Sequence, residues 1–391
     1  MSIPLRHGVF VVPFHNMNEN PTQCIQRDLQ LCQILDDLGY DEVWVGEHHS
    51  AGMEIIASPE LFIAAAAERT RRLRFGTGVI SLPYHNPLMT ANRCIQLDHQ
   101  TMGRCMFGFG PGLLASDAVM LGIDISEQRD RFAEQLDVLI RLMKCEWVTE
   151  RSKFGSYNLV DAHVHLAPYT QPLPELSVAS AVTPSGGRLA GKYDMSMLCV
   201  AANITSGYDA LDVNWKMANA VAAEHGRSMD PRRLRLVIPI HLADTREKAM
   251  ENMRFGLREW IDYYNNNMPR LSLPKDADPV KWYIDNKVGV IGTPDDAIAA
   301  IDRLYAKQGD FGLLLMLAHN CADWEATRHS YELYARYVMP HYANKAFEMR
   351  RKSYDWVTAN QPDFSNQRQK AQDSMIARHM GGEEDKKAAK K

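Results

Sequence analysis

Three short segments carry side chains that could do chemistry. Glu47-His48-His49 sets a carboxylate and two imidazoles in a row directly after the apolar run VWVG. An imidazole exchanges protons near neutral pH or donates to a charged ligand. Neighbouring residues on a strand face opposite ways, so only one of the two histidines would point at a given site. A lone histidine reads more plainly as a packed, hydrogen-bonded core residue; the triplet at the end of a strand favours chemistry. Gly110-Pro111-Gly112 lets backbone come close to a planar ligand, because a side chain at either glycine would intrude. Any strand-to-loop turn can use the same residues. Thr183-Pro184-Ser185-Gly186-Gly187-Arg188 offers two hydroxyls, two glycines and an arginine ahead of a helix expected to begin near Arg188 or Leu189. Free N–H groups at a helix start hold anions, and Arg188 would add a charge-assisted contact. An ordinary cap with Ser185 as capping residue explains that loop equally well.

The elements that must position these residues follow from the hydropathy pattern. Short apolar runs alternate with amphipathic stretches, and eight runs read as strands: 7–12, 42–46, 73–82, 105–109, 176–180, 195–201, 234–242 and 311–317. Helices are expected between them, with clear punctuation in places, such as Pro21 to Leu38 stopped by Gly39. Strands that are apolar on both faces and separated by helices imply a parallel sheet covered on both sides. Eight such units in about 340 residues favour a closed (β/α)₈ TIM barrel over an open doubly wound sheet. Barrel active sites gather at the C-terminal ends of strands. That rule selects the segments above, with Gly78-Val79 in strand three, and adds His15, His241 and His319-Asn320. Residues 245–290 read as an insertion after strand seven, with 265–290 a candidate lid. A barrel domain is expected over 1–345, and 346–391 reads as a polar, partly disordered C-terminal extension.

Composition narrows the function. A net charge of −4 argues against a nucleic-acid partner, and the basic end (Lys386, Lys387, Lys390, Lys391) follows Glu383, Glu384 and Asp385 as a solvated tail. No membrane span or signal sequence is visible, and the seven scattered cysteines fit a reducing cytoplasm. His163-Val164-His165 has the pattern of the zinc pair in barrel hydrolases. It lies before strand five rather than at the end of strand one, and its partners at later strand ends are missing. No metal is expected.

The chain resembles the bacterial luciferase-like flavin monooxygenase family. The resemblance runs from roughly Arg6 to His341 and rests on LGYDEVWVGEHH (38–49), RLRFGTGVISLPYHNP (72–87), LDHQTMGRCMFGFGPG (97–112), TPSGGRLAGKYD (183–194), IGTPDDAIAAIDRL (291–304) and HSYELYARYVMPH (329–341). Within it, GPGLLASDAVMLGID (110–124) and TPSGGRLAGK look like the flavin-dependent terpene hydroxylases and the two-component oxygenases of bicyclic ketones. The resemblance implies a non-covalent reduced FMN, a separate NAD(P)H:flavin reductase that supplies it, O₂ as co-substrate, a small apolar substrate of the terpene or cyclic-ketone class, and a homodimer. Under it His48 lines the flavin and assists proton transfer, and Glu47 orients neighbouring groups. Gly78 and Val79 match a pair joined by a non-proline cis peptide in some members. Thr183, Ser185, Gly186 and Arg188 fall where the family binds the FMN phosphate, and Gly110 and Gly112 lie close to the ring.

One departure matters. The light-emitting members have a reactive cysteine and then an arginine after strand four, where this chain has Gly110 and Pro111. Arg188 is the expected substitute for that arginine. The implied chemistry passes through a flavin hydroperoxide, which needs a dry site. Phe14, Tyr84, Phe109, Leu113 and the 265–290 segment are expected to cover it and meet the substrate. Hydroxylation and oxygen insertion beside a ketone stay open. So do a deazaflavin-dependent dehydrogenase on the same barrel and a flavin-binding protein without turnover.

Overall fold

In the computed structural model, which describes residues 3–12, 14–202, 204–267, 273–343 and 346–388, eight parallel strands close into a barrel. In chain order the strands are β1 (Arg6–Val11), β2 (Glu42–Val45), β3 (Arg74–Ser81), β4 (Cys105–Gly110), β5 (Val148–Arg151), β6 (Asn158–Ala162), β7 (Leu176–Ser180), β8 (Ser196–Cys199), β9 (Leu234–Leu242), β10 (Val290–Gly292) and β11 (Leu313–Ala318). The barrel runs β1-β2-β3-β4-β7-β8-β9-β11, and the register Arg6↔Leu313 to Val11↔Ala318 returns β11 to β1. The expected hairpin is the antiparallel pair β5–β6. The short β10 was not foreseen: it pairs with the C-terminal half of β9, whose N-terminal half pairs with β11.

The helices are α1 (Pro21–Leu38), α2 (Pro59–Ala67), α3 (Pro87–Gln100), α4 (Ala115–Met120), α5 (Gln128–Met143), α6 (Ser185–Tyr193), α7 (Thr205–Glu224), α8 (Arg246–Met253), α9 (Leu257–Asn267), α10 (Pro279–Asp285), α11 (Pro294–Gln308), α12 (Trp324–Leu333), α13 (Met339–Tyr342) and α14 (Ala346–Ala388). Local chemistry sets their ends. Asn20 accepts from the amides of Thr22 and Gln23 before Pro21, and Gly39 ends α1 at φ 84°. The expected helix over 245–264 is instead two, α8 and α9. Tyr342–Lys391 forms a separate unit containing the helix α14, exposed along almost all of the length over which its burial is described. Lys390 and Lys391 lie outside the described residues, as do residues 268–272 of the expected lid.

Inside the barrel the Trp44 indole is fully buried, and Gly76 and Gly108 leave room for it, since a Cβ on either would strike its ring. The N-terminal end is closed by charge. Arg235 is wholly buried; its Nε donates to Glu42 Oε2 at 2.8 Å and one terminal amine donates to Glu175 Oε1 at 2.8 Å. The Trp44 indole N–H also donates to Glu42 Oε2 at 2.8 Å.

Three histidines are held neutral. Burial takes His7 down to about 3; burial, the main cause, with His319 and His329 nearby, takes His241 to about 3; burial takes His319 to about 4. A histidine with a depressed folded pKa stabilises the fold above its unfolded value and loses that contribution as pH falls. We expect stability to decline from about pH 6.5 down to pH 4, with each of the three costing about 2 kcal/mol at pH 5. Urea titrations across this range check it; a flat stability from pH 7 to pH 4.5 would refute it.

Candidate active site

At the C-terminal ends of the strands a cavity of about 590 Å³ opens. Its size lies in the roughly 300–1,000 Å³ range of sites that hold cofactor-sized ligands. Of the residues selected from sequence, Glu47, His48, Gly78, Val79, Gly112, Leu113, Thr183, Ser185, Gly186 and Arg188 line it. The Gly78-Val79 peptide is cis.

Gly110, Phe14, Tyr84 and Phe109 do not line it. Gly110 lies behind Val79, where a Cβ would come within 2.7 Å of Val79 Cγ2, so it makes room for the cavity wall. Gly108 and Gly110 face the barrel interior, and strand alternation turns Phe109 away from it. Phe14 is buried edge-to-face on Tyr263 at 5.4 Å, and Phe10 of β1 and Val12 just after it line the cavity instead. Tyr84 meets Gln128, whose side-chain amide donates to its hydroxyl at 3.1 Å. From the insertion, α9 supplies Trp260 and Tyr264 to the wall.

Other sequence candidates have structural duties. His15 is buried 2.8 Å from Asp28, and His163 stacks on Trp147 at 3.7 Å.

The triplet after β2 splits into two systems. Glu47 is buried, its Oε1 lies 2.8 Å from His49 Nε2 and 2.7 Å from His85 Nε2, and Oε2 accepts from the Ser81 amide at 2.8 Å. Burial alone would raise its pKa; these partners outweigh that and pull it to about 2. Glu47 is therefore a carboxylate with its lone pairs spent on fixing the loops after β2 and β3. His48 sits between two other carboxylates, Nε2 at 3.0 Å from Glu54 Oε2 and Nδ1 at 3.4 Å from Asp117 Oδ2. Burial opposes its charge, but Glu54 and Asp117 prevail and push the pKa up to about 10. His48 is an imidazolium at neutral pH. No inflection near pH 6.5 from this group is expected in a rate profile; a fall sets in only as pH approaches 10.

The loop before α6 and the first turn of that helix add hydroxyls, backbone amides and a cation to the lining. Helix α6 starts at Ser185, three residues earlier than expected, with Pro184 at the cap and no side-chain cap. Its first amides are thus free of side-chain acceptors, since Ser185 is not the capping residue. The Thr183 and Ser185 hydroxyls lie 3.0 Å apart. Gly186 and Gly187 have a packing role as well, because a Cβ would come within 2.5 Å of Ala179 O and Asn214 O respectively. Arg188 and Arg129 both line the cavity, and neither guanidinium has a hydrogen bond or ion pair among the described residues. Asp130 also lines the cavity. Sequence reading missed Arg129, which lies in the first turn of α5 with no motif around it, and missed Glu54 and Asp117.

Residues 5–310 match the family model described as luciferase-like monooxygenase. The chain is 42% identical to limonene 1,2-monooxygenase of Rhodococcus erythropolis over 336 residues, 86% of each chain. It is also 42% identical to 4-hydroxyprotoasukamycin monooxygenase of Streptomyces nodosus subsp. asukaensis, over 90% of this chain and 95% of that one. Among solved structures, the oxygenating constituent of 3,6-diketocamphane monooxygenase of Pseudomonas putida, a type II Baeyer–Villiger monooxygenase in complex with FMN, superposes with a TM-score of 0.72. It is 24% identical, covering 86% of this chain and 99% of that one.

Proposed function

Because the chain belongs to the luciferase-like monooxygenase family, we propose that it is the oxygenating component of a two-component system, taking reduced FMN from a separate NAD(P)H:flavin reductase and using O₂ to oxygenate a small apolar molecule of the terpene or cyclic-ketone class. The observation that carries the cofactor is the pair of arginines, without partners among the described residues, that line one cavity of the right size together with the open first turn of α6. A terminal phosphate satisfies both, through Arg129, Arg188, the Thr183 and Ser185 hydroxyls and the first amides of α6. The cis Gly78-Val79 segment and Gly112, at φ 89°, offer a wall without bulky side chains to a flat ring.

Bound there, reduced FMN would supply the two electrons that activate dioxygen. The chain's own residues do the rest. Phe10, Val12, Val237, Leu317, Trp260 and Tyr264 give the remaining wall an apolar character that suits a hydrocarbon-like substrate and keeps water out. His48 holds a proton at the polar end of the cavity. A homodimer and a cytoplasmic setting belong to the same reading; among the described residues no helix is long and apolar enough to cross a membrane.

Incubation with chemically reduced FMN, O₂ and a panel of terpenes and cyclic ketones, followed by mass analysis, tests the activity. Oxygen uptake with mass gain of one oxygen atom is expected; hydride transfer to a deazaflavin without oxygen uptake would replace this reading. Arg188→Ala is expected to weaken reduced-FMN binding about 10- to 100-fold, the value of one charge-assisted contact. Flavin titration by fluorescence reads it, and an unchanged affinity would remove the phosphate from this wall.

A further inference from the structure

The contacts of His48 continue past it to the surface. Glu54 lines the cavity, its buried Oε2 lies 3.0 Å from His48 Nε2, an ion-pair distance without hydrogen-bond geometry, and the Tyr263 hydroxyl also meets the Glu54 carboxylate. On the other side His48 Nδ1 lies 3.4 Å from Asp117 Oδ2. Asp117 Oδ1 accepts from the Ser50 hydroxyl at 2.5 Å and from the His49 amide at 3.2 Å. The Ser50 hydroxyl lies 2.6 Å from that of Ser116, which is exposed. A series of closely spaced proton-carrying groups thus runs from the cavity to the surface, built from the end of β2, the loop before α2, and α4.

Resting on the monooxygenase reading, we propose that Glu54, His48, Asp117, Ser50 and Ser116 form a proton relay between solvent and the oxygen handled in the cavity, with Glu54 the member that meets it. Because both ring nitrogens of His48 face carboxylates, the imidazole is the crossing point rather than the group presented to the substrate. Oxygenation uses one atom of O₂ and releases the other as water, so protons must reach an oxygen that bulk water does not freely touch. One passage balances as follows. Glu54 takes the proton from His48 Nε2 and passes it to that oxygen, leaving a neutral ring protonated at Nδ1. The ring turns over so that its bare nitrogen faces Asp117, and it takes from Asp117 a proton that has come from water through Ser116 and Ser50. The chain of groups ends as it began, one proton having crossed.

The other ionisable groups near the relay are compatible with this direction. Glu47 and His49 lie beside it but are paired to each other at 2.8 Å. Tyr263 and Tyr264 stand in the field of Glu54, and Tyr84 in that of Asp117; all three phenols are pushed up by burial and by these carboxylates, so they stay protonated. His48 is held charged by both neighbours, which keeps a proton in the middle of the series at working pH.

Two measurements test the relay. In the first, ¹⁵N-histidine NMR of the flavin-free chain, with His48 assigned from a His48→Gln variant, reads the ring directly. We expect an imidazolium at pH 8 in the wild type and a midpoint more than one unit lower in Glu54→Gln. A neutral ring at pH 8, or a midpoint untouched by Glu54→Gln, overturns the proposal. In the second, Glu54→Gln is expected to bind reduced FMN within about threefold of wild type and lose about 100-fold in product formation, the scale of a general acid–base contribution. Glu54→Ala should regain at least tenfold on addition of millimolar formate or acetate, a rescue that a structural role would not show. Wild-type turnover in a folded Glu54→Gln overturns the relay. If the wild type itself takes up no reduced FMN, the monooxygenase reading fails, and the NMR result separately decides whether Glu54 controls the charge on His48.

Discussion

Replacing Arg235 by alanine is expected to cost the fold about 3–5 kcal/mol, the largest stability loss of any single substitution at the base of the barrel. The side chain is entirely buried, and its guanidinium is shared by two carboxylates, Glu42 on β2 and Glu175 just before β7. It also stands 4.9 Å from the Trp44 ring. Burial works against every charge here, but each sustains the others: Arg235 holds Glu42 low and Glu175 at about 2, and both raise Arg235. Removing the cation leaves Glu42, with no exposed surface, facing only Arg6 and the more distant Arg74. The expense comes from the stranded charge rather than from the lost attraction. Replacing the set with uncharged residues, as in Arg235→Met with Glu42→Gln and Glu175→Gln, should therefore lose less than Arg235→Ala alone. Urea unfolding of the two variants side by side checks this. If the single variant loses under 1 kcal/mol, the network contributes nothing that water could not supply.

The parts of this molecule that were legible in the sequence are those encoded locally. Each barrel strand is an apolar run with a helix after it, so eight strands and their ends could be placed, and the strand-end rule then selected the EHH triplet and the 183–188 loop. What escaped was encoded by closure. Asp117 is 69 positions from His48 and reaches it because α4 folds over the barrel mouth. A carboxylate at that distance leaves no spacing to read. Glu54 is nearer, but it follows a turn with Ala51 at φ 65° and Gly52 at φ 75°, which reverses the chain onto the histidine and breaks any periodic signal. Arg129 was hidden for a different reason, since a cation in a helix's first turn reads as a solvated surface residue until the cavity beside it is seen. The errors with Phe109 and Phe14 were errors of direction. Gly108 and Gly110 take the inward positions on β4, and Phe14 is drawn off the mouth by Tyr263. Strand β10 has only three residues, Val290 to Gly292, too few to show a period.

Replacing His48 by alanine should leave reduced FMN bound within a fewfold of wild type while product formation falls by about 10²–10⁴, the range attributed to a positioned proton donor or acceptor. Binding is expected to survive because the contacts proposed for the cofactor, Arg129, Arg188, Thr183 and Ser185, come from α5, α6 and the loop before α6, while the partners of His48 are Glu54 and Asp117. Turnover is expected to fail for an electrostatic reason as much as for a chemical one. His48 is the cation between Glu54 and Asp117. Without it two carboxylates remain at one end of an enclosed site, and each raises the other's pKa until at least one is protonated at neutral pH. Lost activity should therefore be accompanied by a new pH dependence that wild type lacks, with an inflection in the neutral range. Stopped-flow measurement of product and of flavin binding across pH 6–9 separates the two effects. A His48→Ala chain that still forms product at the wild-type rate would move the chemistry away from this histidine. A chain that binds flavin tightly, in either form, and never turns over would be a flavin carrier. In that case the wild type, given the same substrates, would show oxygen uptake no faster than free reduced FMN.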